Sequence, residues 1–337
     1  MLLTPLYSFT PRVSFIVPVY NARETVIETL ESILALKTDG ALEILVVDDG
    51  STDGSPEVVE DWLAGPKSLP DRVSLRILRI SHGGEAAAIN AGLEQAAAPF
   101  IVWVESDVRL HPDWLIPLLI ELEDPAVAGA GGVLYPSPND PPVARMFGYE
   151  IAHKIRSNHA EVIHITSANA LYRREIFEQL GPCRVELGES SFDSEYNQRI
   201  REAGYRLVCN QRARAWHHYK GSLLECLRRA AWYGFRRPMV KTQVLYPFDR
   251  LIGLLVASSM LLVPASALWW ISPVFPLGLI VFVLAAHVGY SIYLYTRYRD
   301  CALLAAGPVF LLRNVVFGGA YLAGWIDRLL GMKRNRP

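Results

Sequence analysis

The sequence of 337 residues is long enough for one large domain and a smaller one, because domains usually contain about 100 to 200 residues. Its 33 Lys and Arg residues nearly balance its 34 Asp and Glu residues, and the formal net charge of -1 argues against a general nucleic-acid-binding protein, which usually has a basic surface. The four cysteines have neither the spacing of a zinc site nor that of a disulfide framework, so a reducing compartment is expected.

Strand and helix patterns alternate from the N-terminus, which lacks the basic start and long apolar run of a signal peptide. This alternation predicts an α/β fold with a mostly parallel sheet and helices on both faces. The predicted elements are strand 13–19, helix 24–36, strand 42–47, helix 58–63, strand 73–80, helix 85–97 and strand 100–104.

Two acidic clusters directly follow predicted strands. Asp48 and Asp49 follow the second strand, and Glu105 and Asp107 follow the fourth. Ligands of open α/β sheets bind beyond the carboxyl ends of the strands, where both clusters lie. Carboxylates of the first cluster can accept hydrogen bonds from a nucleoside, and those of the second suit a divalent cation that substrate phosphates also bind. Each cluster alone is equally compatible with a solvated structural loop.

The composition changes near residue 250 from dispersed charges to long apolar runs. Residues 251–270 and 277–295 are each close to the length that crosses a hydrocarbon core of about 30 Å, and they predict a hairpin of two membrane spans. Basic residues flank both ends of this hairpin. The positive-inside rule therefore predicts a multi-pass protein of the cell (inner) membrane, with its larger domain in the cytosol.

Two further segments are predicted near the membrane surface. Residues 301–326 are apolar but carry Arg313 and Asn314 near their middle, where a charge is costly, so this segment is expected to lie at the interface or to re-enter. Residues 222–235 have amphipathic spacing and either lie on the inner leaflet or form an ordinary surface helix. The predicted organisation is a catalytic domain at 1–220, a basic connector at 221–250 and a membrane domain at 251–337.

Four strings resemble the family-2 glycosyltransferases with a GT-A fold in their order and spacing: VSFIVPVYNARETVIETLESIL, EILVVDDGSTDGS, GGEAAAINAGLEQAAAPFIVWVESD and FDSEYNQRIREAGYRL. The resemblance covers about residues 12–220. A later string, WHHYKGSLLECLRRAAWYGF, is similar to members that build exopolysaccharides, notably the succinoglycan-type branch. The resemblance implies a Rossmann-like GT-A domain and a hexosyltransferase-type activity.

The resemblance implies a pocket for a nucleotide-sugar donor. Asp49 would hold the base, and Glu105 and Asp107 stand where the family has its DxD motif, from which Glu105 departs. Glu85 replaces a basic residue that the family has near the phosphates. The residues implied to line the nucleotide pocket are Pro18, Tyr20, Asn21, Asp48, Asp49, Ser51, Asn90, Glu105 and Ser106.

Metal and acceptor positions are implied by the same resemblance. Asp107 keeps the family's metal contact, and His217 matches a position where the family often has a histidine near the metal or diphosphate, with a packing role as the alternative. The implied cofactor is a divalent metal, Mg²⁺ or Mn²⁺. Thr166, Ser167 and Asn169 are implied to face the acceptor.

A catalytic base is implied just before a helix with the family's Arg-x-x-x-x-Gly-Tyr pattern. Counting back from Arg199 makes Asp193 the first candidate, Glu195 the second and Glu189 the third. An acceptor hydroxyl is a poor nucleophile, so removing its proton assists in-line attack on the anomeric carbon, with inversion. A helix cap is the structural alternative for Asp193.

The predicted function is transfer of a sugar from a nucleotide-sugar donor, expected to be a UDP-sugar, to a lipid-linked (polyprenyl) glycan acceptor at the inner leaflet, in polysaccharide or glycoconjugate biosynthesis. No nucleic-acid partner is expected. Two alternatives stay open: a polyprenyl-phosphate sugar synthase, and a catalytically silent membrane scaffold of a polysaccharide assembly complex. The sequence leaves the donor sugar, the acceptor and the linkage undetermined.

Overall fold

The computed structural model describes residues 11–66, 69–156, 161–187, 192–219, 221–236, 238, 250–265 and 272–330. Glu189, the third candidate for the base, lies outside these described residues. The chain divides into two compact units. We call Met1–Tyr135 with Asn158–His217 the α/β unit, and Pro136–Ser157 with His218–Pro337 the helical unit.

The α/β unit contains a nine-stranded sheet with helices between its strands. The strands are β1 (Val13–Val19), β2 (Leu42–Asp48), β3 (Val73–Arg79), β4 (Phe100–Val104), β5 (Val108–Leu110), β6 (Val127–Pro136), β7 (Glu161–Val162), β8 (Asn169–Arg173) and β9 (Arg206–His217). The helices of this unit are α1 (Val26–Leu34), α2 (Ser55–Ala64), α3 (Glu85–Gln95), α4 (Leu115–Glu121), α6 (Arg174–Leu180) and α7 (Phe192–Glu202).

The strand order is β3-β2-β1-β4-β8-β6-β9-β5, with β7 paired to β9, and the predicted α/β fold is confirmed. β1 pairs in parallel with β2 and β4, and β2 pairs in parallel with β3. β1 and β2 are buried along almost their whole length, in keeping with their mainly apolar sequences. β4 pairs antiparallel with β8, and β5 with β9, so the later strands make the sheet mixed.

Two apolar clusters cover opposite faces of the parallel strands. Phe15 packs in one cluster with residues of α1, and Ile16 and Trp103 pack in the other with residues of α3. Side chains alternate between the faces of a strand, so neighbouring residues of β1 enter different clusters. α3 approaches β1 closely at Gly92, where a Cβ atom would lie 2.5 Å from Ile16 Cγ2. Helices on both faces thus hold the carboxyl ends of β1, β2 and β4 in place.

The helical unit contains α5 (Pro142–Arg156), α8 (Leu223–Arg236), α9 (Arg250–Ala265), α10 (Val274–Tyr298) and α11 (Ala306–Leu330), and a 3-10 helix at Cys301–Ala305 precedes α11. Its core includes Met146 of α5, Leu255 of α9, Tyr290 and Leu294 of α10, and Phe310 of α11. The structure therefore differs from the predicted organisation. α5 groups with the C-terminal helices, although the sequence places it inside the predicted catalytic domain.

The C-terminal apolar runs form helices. α9 covers most of the first predicted span, and residues 266–270 of that span lie outside the described part of the chain. α10 includes the second predicted span, and α11 follows as one continuous helix. Two helical stretches, Pro276–Tyr298 and Cys301–Leu330, are long and apolar enough to cross a membrane by length and composition.

Candidate active site

The first acidic cluster organises a loop with two stacked rings. Asp49 is 2 % exposed, and its carboxylate accepts hydrogen bonds from the backbone N–H groups of Gly83 (2.7 Å) and Gly84 (2.9 Å). Nδ1 of His82 lies 2.9 Å from Asp49 Oδ2, and the His82 ring stacks on Tyr20 with centroids 4.3 Å apart. Asp49 thus holds the loop that presents His82, and the half-exposed Tyr20 offers an aromatic face for a flat base.

The loops after β1 and β2 are tied to each other. Asn21 has a φ of 51°, a left-handed conformation that Asn tolerates better than most residues. Its backbone N–H donates to Ser51 Oγ (3.0 Å), and its Oδ1 accepts from Thr52 N–H (2.9 Å). Asp48 Oδ1 accepts from Ser51 N–H at 3.2 Å. These contacts bring together the residues predicted for the nucleotide pocket from both loops.

A group that can hold a metal forms where β4 ends. Glu105 and Asp107 follow β4, and His217 is the last residue of β9, in register with Val108 of β5. His217 Nε2 lies 3.2 Å from Glu105 Oε2 and 3.1 Å from Asp107 Oδ1. Ligand atoms of all three residues lie within 4.8 Å of one another. Glu105, predicted to contact the nucleotide, therefore joins this group.

The electrostatics of this group suit a cation. Burial by itself disfavours charge on His217, but hydrogen bonding and attraction from Asp107 and Glu105 outweigh it and raise the pKa of His217 to about 10. Two carboxylates and one imidazole make the mixed oxygen and nitrogen donor set that divalent ions such as Mn²⁺ accept. The residues present therefore fit a divalent cation.

The predicted base contacts a buried histidine that sequence reasoning missed. Asp193 lies in the first turn of α7, and its Oδ2 is 3.5 Å from Nε2 of His164. Nδ2 of Asn197 donates to Ile165 O (2.7 Å) and lies 3.0 Å from His164 Nδ1. A carbonyl oxygen only accepts, so it fixes the orientation of the Asn197 amide, which then donates to Nδ1 of His164. The His164 proton is left on Nε2, facing Asp193.

Burial lowers the pKa of His164, and the nearby Asp193 carboxylate raises it by less, so His164 is neutral near pH 7. Nothing in the sequence around His164 marks it as functional. Asn197 does fall within the Asp-x-Glu-x-Asn-x-Arg string that carries part of the family resemblance, and this was a usable signal.

The group formed by Glu105, Asp107 and His217 and the predicted base Asp193 contact opposite ends of one short segment, residues 164–167. Ser167 Oγ is 3.4 Å from Glu105 Oε1, and His164 faces Asp193. Three residue steps span at most about 11 Å. Asp193 and Glu105 therefore both contact this short segment, with Thr166 between the two contacts.

Three predicted site residues have structural roles instead. Asn90 donates to Cys183 O and accepts from Cys183 N–H, both at 2.8 Å, so its amide links α3 to the segment after α6. Asn169 is fully buried and accepts from Gly132 N–H at 2.6 Å, so it does not face an acceptor. Glu195 is buried and paired with Arg184 (3.3 Å) and Arg199 (3.0 Å), an arrangement that suits structure better than proton abstraction.

The positions of the remaining predicted residues are compatible with their predicted roles. Pro18 and Ser106 are partly exposed at the ends of β1 and β4, and Thr166 is partly exposed beside Ser167. Among the described residues, no contact assigns a ligand to them. Their roles stay predictions.

Residues 14–181, about half of the chain, match the family described as Glycosyl transferase family 2. The chain is 26 % identical over 203 residues to Glycosyltransferase AglE of Haloferax volcanii, covering 60 % of this chain and 65 % of AglE. It is 28 % identical over 238 residues to O-antigen biosynthesis protein RfbC of Myxococcus xanthus, covering 63 % of this chain and 18 % of RfbC. The chain spans 25 % to 65 % of the lengths of the first curated relatives that it matches.

The fold is similar to that of the mannosyltransferase PcManGT from Pyrobaculum calidifontis, solved with GDP-Man and Mn²⁺. The TM-score is 0.56 at 22 % identity, over 97 % of this chain and 89 % of PcManGT. At this identity the likeness concerns the fold alone. Through the match over residues 14–181, the chain belongs to glycosyl transferase family 2.

Proposed function

We propose that this protein is an inverting glycosyltransferase that moves a sugar from a nucleotide-sugar donor to a hydroxyl group of a lipid-linked glycan. One observation carries the proposal. A group suited to a cation at Glu105, Asp107 and His217 and the carboxylate of Asp193 both contact residues 164–167, and Glu105, Asp107 and this segment lie in the part of the chain, residues 14–181, that matches the family.

The donor side of the site uses the loops after β1, β2 and β3. Tyr20 and His82 provide stacked rings for the base, and the linked loops around Asn21 and Ser51 support the ribose side. Glu105, Asp107 and His217 would hold a divalent cation, either Mg²⁺ or Mn²⁺. Such a cation neutralises the charge that develops on a leaving diphosphate. UDP is our first choice of nucleotide, from the family resemblance.

The acceptor side of the site uses Asp193 as the general base. Asp193 accepts the proton of the acceptor hydroxyl while that oxygen attacks the anomeric carbon from the side opposite the leaving diphosphate. The bond from the anomeric carbon to the diphosphate breaks as the new bond forms, and the configuration inverts. His164 Nε2 lies 3.5 Å from Asp193 Oδ2, and in our proposal the neutral imidazole donates to the carboxylate and keeps it in one orientation. Thr166 and Ser167 lie beside the path of the acceptor.

A membrane-bound acceptor is supported by the apolar helices of the helical unit. RfbC, which is named for O-antigen biosynthesis, supports a cell-surface glycan as the product class. We therefore propose that the enzyme acts at the cytosolic face of the inner membrane on a polyprenyl-linked glycan. Other proteins of a polysaccharide assembly are the expected partners.

The test is a donor screen with the full chain in lipid nanodiscs. UDP- and GDP-sugars are incubated with Mn²⁺, Mg²⁺ or EDTA, and release of the nucleoside diphosphate is measured. We expect turnover of one donor that EDTA abolishes and that Asp107→Ala reduces by at least about 100-fold. The exposed variant Asp61→Asn is the control and should keep full turnover. Absence of turnover with every donor, although the nucleotides bind, would instead support the scaffold alternative.

Analysis of the lipid product separates the two enzymatic candidates. A polyprenyl-phosphate oxygen is already anionic at neutral pH and needs no base, whereas a glycan hydroxyl does. A polyprenyl-phosphate sugar as product, with full activity of Asp193→Asn, would replace our proposal with the synthase.

A further inference from the structure

A layer of polar contacts links three helices of the helical unit. Asn314 Nδ2 of α11 lies 3.1 Å from Nε2 of His287 in α10, and Ser259 Oγ of α9 lies 3.3 Å from the same nitrogen. His287 Nδ1 lies 2.8 Å from Val283 O and donates to it, so its Nε2 accepts from Asn314. Because they are in contact, Ser259 and His287 lie at the same level where α9 packs against α10.

α11 crosses this pair of helices and does not run along it. Gly307 lies against His287 and Val288 of α10, Asn314 contacts His287, and Gly318 lies against Met260 of α9. Between Gly307 and Gly318, α11 advances by about 16 Å at 1.5 Å per residue. The residues of α9 and α10 that Gly307, Asn314 and Gly318 meet lie within about one turn of His287 or Ser259. The axis of α11 is therefore steeply inclined to the axes of α9 and α10.

α8 lies alongside α11 and runs in the same direction. Gly234 of α8 packs against Phe317 and Ala320, Gly324 of α11 packs against Phe235, and Arg328 donates to Pro238 O. Successive contacts lie further toward the C-terminus on both helices, so the two helices are parallel. A Cβ atom at either glycine would overlap the facing backbone carbonyl, so the two helices are in close contact.

The outer face of α8 carries the chemistry of a membrane surface. Arg228, Arg229 and Arg236 are exposed, and the Arg236 guanidinium lies 4.8 Å from the centre of the exposed Trp232 ring. Tyr233 is also exposed. On α11, the exposed Trp325 carries Arg328 at 5.0 Å. Arginines contact anionic headgroups, and Trp and Tyr rings favour the same depth.

The first half of α10 has an exposed apolar surface. On the N-terminal side of His287, five apolar residues of α10 are exposed: Val274 (76 %), Leu277, Ile280, Val281 and Phe282 (68 %). Closer to Tyr298, α10 is buried on one side against the core of the helical unit.

From these contacts we infer that α8 and α11 lie flat in the surface of an anionic bilayer while the tip of the α9–α10 pair enters the lipid, so that α11 does not cross the membrane. An upright α11 would carry the exposed arginines of α8 into the hydrocarbon, because the two helices are packed together. The basic outer face favours anionic lipid over any other occupant. This inference does not depend on the proposed glycosyl transfer.

The test locates the end of α11 relative to the α/β unit. Leu330→Cys and, as the reference, Asp61→Cys are made in a cysteine-free full chain, and sealed membrane vesicles of each orientation are treated with a membrane-impermeant maleimide. We expect both cysteines to react in the same vesicles and to equal extents. Reaction of Leu330→Cys only in vesicles of the opposite orientation, or only after detergent is added, would overturn the inference.

Fusion reporters keep the test independent of cysteine replacement. Green fluorescent protein and alkaline phosphatase are fused to the C-terminus of the unaltered chain, and the α/β unit is located by protease treatment of the same vesicles. A C-terminal reporter on the side of the α/β unit supports the flat α11. A reporter on the opposite side contradicts it, whatever the activity of the enzyme.

Discussion

The Asp193 carboxylate is the single group on which the proposed chemistry most depends. Asp193→Asn keeps the size of the side chain and the start of α7 but cannot accept a proton. We expect kcat for sugar transfer to fall by about 10²- to 10⁴-fold with little change in the KM for the donor, measured by nucleoside diphosphate release. Glu202→Gln, exposed on the same helix, is the matched control. A loss smaller than about threefold would remove Asp193 from the mechanism.

His164 is expected to act through Asp193 as a positioning residue. His164→Leu removes the donor that orients the carboxylate, and a misplaced base costs up to about 100-fold in rate. We expect a lower kcat, an unchanged donor KM and unchanged metal affinity. His164→Gln retains an N–H donor and should recover part of the rate. Equal losses in both variants would indicate a role in packing alone.

His164 also gives the stability a pH dependence. Its pKa is lowered in the folded state, mainly by burial, from an unfolded value near 6.5. As the pH falls below 6.5, the unfolded chain binds a proton that the folded chain excludes, so the free energy of unfolding decreases. His164→Gln should show a smaller loss of Tm between pH 7.5 and pH 5.5, measured by differential scanning fluorimetry. An identical pH profile in both proteins would contradict this assignment.

At the scale of elements, a buried ion pair joins α5 to α11. Both guanidinium Nη atoms of Arg313 donate to Glu150, which is 2 % exposed. Burial opposes the charge of Glu150, but Arg313 and Lys154 outweigh it and lower the pKa of Glu150 to about 2. Glu150 therefore keeps its charge and its pairing throughout the physiological pH range.

Breaking this pair on one side should destabilise the helical unit. Glu150→Gln leaves Arg313 buried with a weaker partner, and we expect a loss of about 3 kcal/mol, measured as a lower Tm in detergent or nanodiscs. The double variant Glu150→Met with Arg313→Met leaves no unpaired charge and should recover most of the loss. A Tm unchanged in Glu150→Gln would mean that water compensates the charge of Arg313.

At the scale of the whole molecule, the chain leaves the α/β unit at Pro136 and returns to it after residue 157. A fragment of residues 1–219 would keep α5 but lose its partners. Phe147 would no longer contact Phe310, and Arg145 would no longer pair with Asp300. We expect this fragment to aggregate on size-exclusion chromatography because the apolar face of α5 becomes exposed.

The matched fragment replaces α5 by a flexible Gly/Ser linker of about twelve residues, whose typical span of about 19 Å is close to the length of about 22 Å of this 15-residue helix. This version should elute as a monomer. A monomeric fragment 1–219 with the Tm of the linker version would show that α5 does not need the C-terminal helices.

Local sequence patterns predicted the parallel half of the sheet, the apolar helices and the strand-end carboxylates Glu105 and Asp107, whereas Asp193 was predicted from the family resemblance. Buried strands, apolar helices and strand-end carboxylates are each encoded by neighbouring residues, so their patterns can be recognised without contacts. The structural assignment of Asn90 and Asn169 was beyond this reasoning, because their hydrogen-bond partners Cys183 and Gly132 lie far away in the chain.

Tertiary structure alone decided which of these residues meet. The antiparallel pairing of β5 with β9 brings His217 to Asp107 across more than a hundred residues, and the packing of α7 brings His164 to Asp193. The apolar content of α11 is the same whether the helix crosses a bilayer or lies on it. The flat arrangement is favoured by two features that only the tertiary structure shows: α11 packs against the basic helix α8, and it crosses α9 and α10 at a steep angle. The neighbours of a helix therefore decide whether lipid can surround it, and the composition of the helix does not.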